Sequence, residues 1–160
     1  MRCLAMCLLV VGCRLDLDHQ TADETAMLCQ TSTVERCTAA TAFTKFSEIQ
    51  ANIFVNNCGS SSCHQGKDSL GKLDLTSTTA YGSLVGAMSQ IDTSRVLVVP
   101  GDPKASYLML MLHAFEPAAA IPPGIAPPST IGYMPQANPT LCCQKLDTVA
   151  RWITAGAEND

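Results

Sequence analysis

Cys58 and Cys63 have four residues between them, and His64 follows the second thiol directly. Two thiols with an adjacent imidazole are the groups that fix a c-type haem. The thiols become thioethers to its two vinyl groups, and the imidazole is carried beneath the iron. The usual arrangement has two residues between the cysteines. Here the insert is Gly59-Ser60-Ser61-Ser62, all small, and Gly59 tolerates unusual backbone angles, so a bulge would absorb the extra length. The same residues admit a local Cys58–Cys63 disulfide beside a bystander histidine. A zinc site would need a second Cys/His pair at useful spacing, and the chain offers none.

A haem so attached needs a second axial ligand or keeps an open iron position. Met134, in Gly132-Tyr133-Met134-Pro135, is the leading candidate, because Pro135 restricts its backbone toward extended conformations. A thioether opposite an imidazole also raises the reduction potential, as suits an electron carrier. Met88, Met109 and Met111 are alternatives, the last two reading as helix core. His113 reads as a helix C-terminal histidine and His19 as part of a polar tether. Trp152, the lone tryptophan, either packs on a porphyrin edge or sits in the core. Lys72, Arg95 and Lys104 are candidates for propionate contacts. No Ser/His/Asp set or phosphate-binding glycine loop stands out.

The elements that must position these groups are mostly helical. Phe43, Phe46, Ile49, Ile53 and Phe54 recur at helical steps and predict a helix over 41–56, delivering Cys58 to a loop at its end. A second helix is expected over 79–88, and Arg95 to Val99 reads as a short strand or extended core segment. Asp102 as N-cap and Pro103 at the first helical position predict a helix to about His113. Residues 117–139 hold seven of the nine prolines and read as a long loop, a kind of segment that often carries function. Leu146, Val149, Ala150 and Ile153 mark a final helix over 141–155, with Gly156 as its C-terminal cap. No internal repeat or second domain is evident.

Composition bounds the partners. The net charge is −4 with a pI near 5.2, and no cluster of Lys and Arg offers a phosphate-tracking surface, so nucleic acid is not an expected partner. Residues 1–13 resemble a bacterial lipoprotein signal: Arg2, the apolar run Leu4 to Val11, then Val10-Val11-Gly12-Cys13, with Cys13 the lipidated first mature residue. Residues 14–40 read as a polar tether, and 41–160 as the folded domain. Of nine cysteines, Cys3 and Cys7 leave with the leader and Cys13 carries lipid, so six remain (9 − 3). If haem takes Cys58 and Cys63, Cys29 and Cys37 are expected to bridge to Cys142 and Cys143, in either pairing. Three disulfides fit the parity equally well, so the count supports export to an oxidising compartment and not haem.

The order of several segments resembles the envelope cytochrome c-like domains of planctomycete and myxobacterial proteins, many of them lipoproteins. The segments run from Phe46-Ser47-Glu48-Ile49 through Cys58…Cys63-His64 to Leu73-Asp74-Leu75. They continue with Ala80-Tyr81-Gly82-Ser83-Leu84-Val85, Val99-Pro100-Gly101-Asp102-Pro103, Met134-Pro135 and Arg151-Trp152-Ile153-Thr154-Ala155-Gly156-Ala157. The resemblance covers roughly residues 43–160, and in that family both two- and four-residue cysteine spacings occur. It implies a mostly α, single-domain cytochrome c-like fold with a long proline-rich loop. It also implies covalent haem c on Cys58 and Cys63, with His64 and Met134 as iron ligands. The function then expected is one-electron transfer between redox partner proteins, not enzymatic turnover, from a lipid anchor in the bacterial envelope. The competing expectation is a haem-free, disulfide-stapled lipoprotein serving as a binding or structural module.

A lipoprotein signal at residues 1–13 fixes the form of the mature protein. Mature protein should begin at a diacylated Cys13 and partition with membranes, whereas Cys13→Ala should stay unlipidated. A mature N-terminus elsewhere without lipid mass would refute it.

Overall fold

The computed structural model describes residues 28–66, 68–136 and 140–160, and the leader and its Cys13 lie outside them. Its organising helix is composite. An α-helical turn Phe46–Ile49, a π-helical stretch Gln50–Phe54 and an α-helical turn Val55–Cys58 run on without a break; together they are α2. Phe46, Ile49, Ile53 and Phe54 are all buried, and the expected apolar stripe is the core face. In the π stretch an N–H reaches five residues back, as Val55 does to Gln50. Asparagine side chains answer i−4 carbonyls along this helix, Asn52 to Glu48 at 2.9 Å and Asn57 to Ile53 at 2.6 Å.

The start of α2 differs from the expected Thr41. Ala39–Ala42 is a separate 3-10 turn after the short helix α1, Glu35–Thr38, and Phe43 and Lys45 are extended. Two carboxylates cap the new start. Glu48 accepts from the Thr44 and Lys45 amides, and Asp160 accepts from Phe46 through its side chain at 3.0 Å. Negative charge is favourable at this end of a helix, so a residue 114 positions away sets the boundary. The far end also differs: α2 includes Cys58 rather than stopping at Asn56.

The last helix, α5 (Cys143–Thr154), packs against α2 and the α1 segment. Trp152 lies 5.3 Å from Phe46, ring to ring, and its Nε1–H donates to Glu158 O, so the tryptophan belongs to the core. Gly156 takes φ +109 after the helix, the left-handed cap expected of it. Residues 28–42 are laid along α5: Ser32 and Gln144 exchange two hydrogen bonds, and the Thr148 hydroxyl donates to Ala40 O at 2.7 Å.

Between these helices lie α3 (Ala80–Leu84) and α4 (Tyr107–Met111), both shorter than expected. Residues 102–105 form a turn closed by the Ala105 amide on Asp102 Oδ1, and the helix proper begins after Ser106. Every residue of α4 is buried. Its first amides, on Tyr107 and Leu108, donate to Val96 and Leu97 of the extended 95–99 segment. That segment makes isolated bridges, Val85 with Val98 and Met88 with Val96, and no named strand forms among the described residues. The fold is therefore mostly helical and forms one domain. Among the described residues no helix is long and apolar enough to cross a membrane.

Two disulfides resolve the pairing that sequence left open: Cys29–Cys143 and Cys37–Cys142, with sequence separations of 114 and 105. Cys58 and Cys63 remain thiols. Loops of this length give a chain-entropy stabilisation of up to ~4–5 kcal/mol for one bridge, commonly less in practice, and the second adds little because it closes nearly the same loop. Replacing all four cysteines by Ser should therefore cost about 2–5 kcal/mol in urea unfolding. Non-reducing peptide mapping should recover the pairs named here. Crossed pairs, or four free thiols, would contradict the assignment.

Candidate functional site

The C-terminal turn of α2 and the loop after it build the first wall of a cleft. Cys63 N–H donates to Ser60 O at 2.9 Å and His64 N–H returns to Cys58 O at 3.1 Å, so the serine insert is taken up in a turn. Gly59 is needed there, but for space and not for its angles, since its φ is −83. A Cβ at this position would meet Val55 O at 2.7 Å and Thr76 Cγ2 at 2.8 Å. His64 is pinned on both sides of its peptide, because its carbonyl accepts from Leu75 N–H at 2.9 Å.

The His64 ring is oriented by the Leu73 carbonyl, 3.2 Å from Nδ1. A carbonyl only accepts, so Nδ1 carries the proton and Nε2 keeps its lone pair. Burial lowers the imidazole pKa below its ordinary 6.5, with the Leu73 and Leu70 backbone contacts acting the other way. Burial and the neighbouring Cys63 push the Cys58 thiol up to about 11, with Lys145 opposing. Cys58 is therefore a neutral thiol at neutral pH, which disfavours a catalytic thiolate. Among the described residues no three His, Cys, Asp or Glu side chains converge as a metal-binding group.

The other wall comes from α4 and the proline-rich loop. Met134 N–H donates to Met111 O at 2.7 Å, which ties the loop to the end of α4. Cys58, Cys63, His64 and Met134 all line the same cleft, about 840 Å³ with its open mouth included. Leu73, Leu97, Leu108 and Leu112 supply much of the rest, and no charged side chain is among the described lining residues. Met111, which reads from sequence as helix core, also lines it, and so does Tyr107 of the same helix. Met88 and Met109 do not line the cleft, and Met109 is core. His113 is stacked on Tyr133, with ring centroids 3.8 Å apart, outside the lining. Lys72, Arg95 and Lys104 are also outside it; Arg95 is buried, paired with Asp92 and donating to Pro122 O.

This donor set fits a covalently attached haem on chemical grounds: two unpaired thiols, a half-buried imidazole with one nitrogen free, and thioethers beside an apolar slot. No family model matches the chain, and no curated protein or solved structure matches it either.

The buried neutral imidazole has a pH signature in protein carrying no haem. The unfolded chain takes up a proton near the ordinary value of 6.5, whereas the folded chain resists it. The stabilising contribution is thus full above that value and is lost as pH falls from there toward the folded pKa. Between about pH 7 and about pH 5, wild type should lose more stability than His64→Gln. Equal pH slopes for the two proteins would contradict the burial account.

Proposed function

We propose that this chain is a monohaem c-type cytochrome carrying single electrons in the bacterial cell envelope. Cys58 and Cys63 would attach haem c, with His64 as proximal and Met134 as distal ligand. The observation that carries the reading is that these four residues, as far apart as 58 and 134 in sequence, line one cleft with no charged side chain among its described lining residues. The cysteine and histidine motif and the order of segments resembling envelope cytochrome c-like domains support it.

The bound haem supplies a one-electron iron couple. The protein's own residues do the positioning. The Leu73 carbonyl holds the Nδ1 proton of His64 and so leaves the lone pair on Nε2, the outer contact that a ligating imidazole ordinarily has. Leu73 and Leu75 of the 70–75 loop and Leu108 of α4 give the slot apolar walls. A thioether ligand in an apolar setting favours the reduced state and so raises the potential. Electrons would pass to and from redox partner proteins at the cleft mouth, where Leu70 is exposed. Two long-range disulfides agree with an oxidising compartment, and a lipid on Cys13 would hold the domain at the membrane. The disulfides also favour a second reading, a haem-free stapled lipoprotein, because they brace the fold independently of the cleft.

The ligand assignment and the electron-carrier role are tested together, using protein made with cytochrome c maturation machinery. Met134→Ala should abolish the near-infrared sulfur-to-iron charge-transfer band of the oxidised form, lower the potential and admit carbon monoxide to the reduced form. Met111→Ala, the other cleft methionine, should keep the band. Loss of the band in Met111→Ala but not Met134→Ala would reassign the ligand. A wild type that lacks the band and binds carbon monoxide freely would overturn the carrier role.

A further inference from the structure

A second cavity shares Asn57 with the cleft but is different in kind. It spans about 950 Å³ with its open mouth included, and its lining includes Gln30, Ser32, Asn56, Thr140 and Lys145. These are neutral hydrogen-bonding side chains around one cation, with no acidic group among the described lining residues.

Lys145 is the unusual member. It is only 6% exposed, and Nζ donates to Asn57 Oδ1 at 3.3 Å. Among the described residues no carboxylate pairs with it, since the ion pairs are Arg95–Asp92 and Arg151–Asp147. Burial lowers its pKa, and the neighbouring Arg36 acts in the same sense. An ammonium has three protons to donate, and one taken from water without a counter-charge is strongly disfavoured. The cavity also meets the N-terminus of α5, a helix of 12 residues whose N-cap Cys142 makes no side-chain cap. That end carries the positive side of the helix dipole.

We propose that this cavity binds a small carboxylate anion against Lys145, with the amide and hydroxyl side chains around it completing the hydrogen bonds. Lys145 is the one cation among the described lining residues, and it matches one negative charge. A phosphate dianion would call for a second, and Arg36 is not among the lining residues. The site does not rest on the haem reading, because Asn57 is the one described residue that lines both cavities.

The test is an amide NMR titration of the full chain with sodium acetate, against sodium chloride at equal ionic strength. Acetate should shift the Ser32, Asn57 and Lys145 amides saturably and raise the melting temperature beyond chloride. Lys145→Met, an apolar replacement of similar length, should lose both effects. Absence of saturable shifts in wild type would overturn the proposal whether or not the variant folds. Shifts that persist in Lys145→Met would also overturn it. Saturation by inorganic phosphate but not by acetate would overturn the carboxylate assignment.

Discussion

Burial of Phe46, Ile49, Ile53 and Phe54 fixes α2 within the core, with Phe46 against Trp152 of α5, and the cleft depends on this packing. The helix has a defined start because Glu48 and Asp160 cap it. Its end is defined because Gly59 lies against Val55 O and Thr76 with no room for a Cβ. Cys58 is thus held at a rigid terminus rather than carried on a mobile loop. The turn back to Cys58 O and the Leu75 contact then locate His64. Four apolar side chains of roughly 1.5–3 kcal/mol each on burial outweigh the ~1 kcal/mol of a single loop hydrogen bond. Core packing, rather than the loop, holds the motif in place.

The other wall obeys a different constraint. Helix α4 is apolar all round and is buried on every side, so it is stable only as a core element. Its first amides are paired with the 95–99 segment, and its Met111 carbonyl receives the Met134 amide. The proline-rich loop is therefore anchored through backbone contacts to the most buried helix. This gives a thioether at position 134 a fixed location without a helix of its own.

Periodicity was enough to find the apolar face of α2 and the inward residues of α5, whereas the link between Cys29/Cys37 and Cys142/Cys143 came from cysteine parity, once Cys58 and Cys63 were set aside. Local signals misled where distant groups decide. Thr41 heads an amphipathic pattern, but capping by Asp160 moves the start to Phe46. Asp102 and Pro103 look like a helix start, yet Asp102 closes only a turn because residues 106–108 are already bonded to the 95–99 segment. Gly59 was legible as important, but its reason is space rather than backbone angle. Met111 and Tyr107 could not be told from core residues, since a cleft wall and a core face have the same spacing. Lys145 had no sequence signal, because only the fold shows that it is buried.

The proposed role requires that Cys58 and Cys63 hold a haem in the cleft between α2 and α4. Mass spectrometry of the denatured protein, made with cytochrome c maturation machinery, tests it most directly. One haem should be added to the chain mass, located on the peptide containing both cysteines and retained under denaturation. Protein of unmodified mass at that peptide, with Cys58 and Cys63 as thiols or joined to each other, would contradict it.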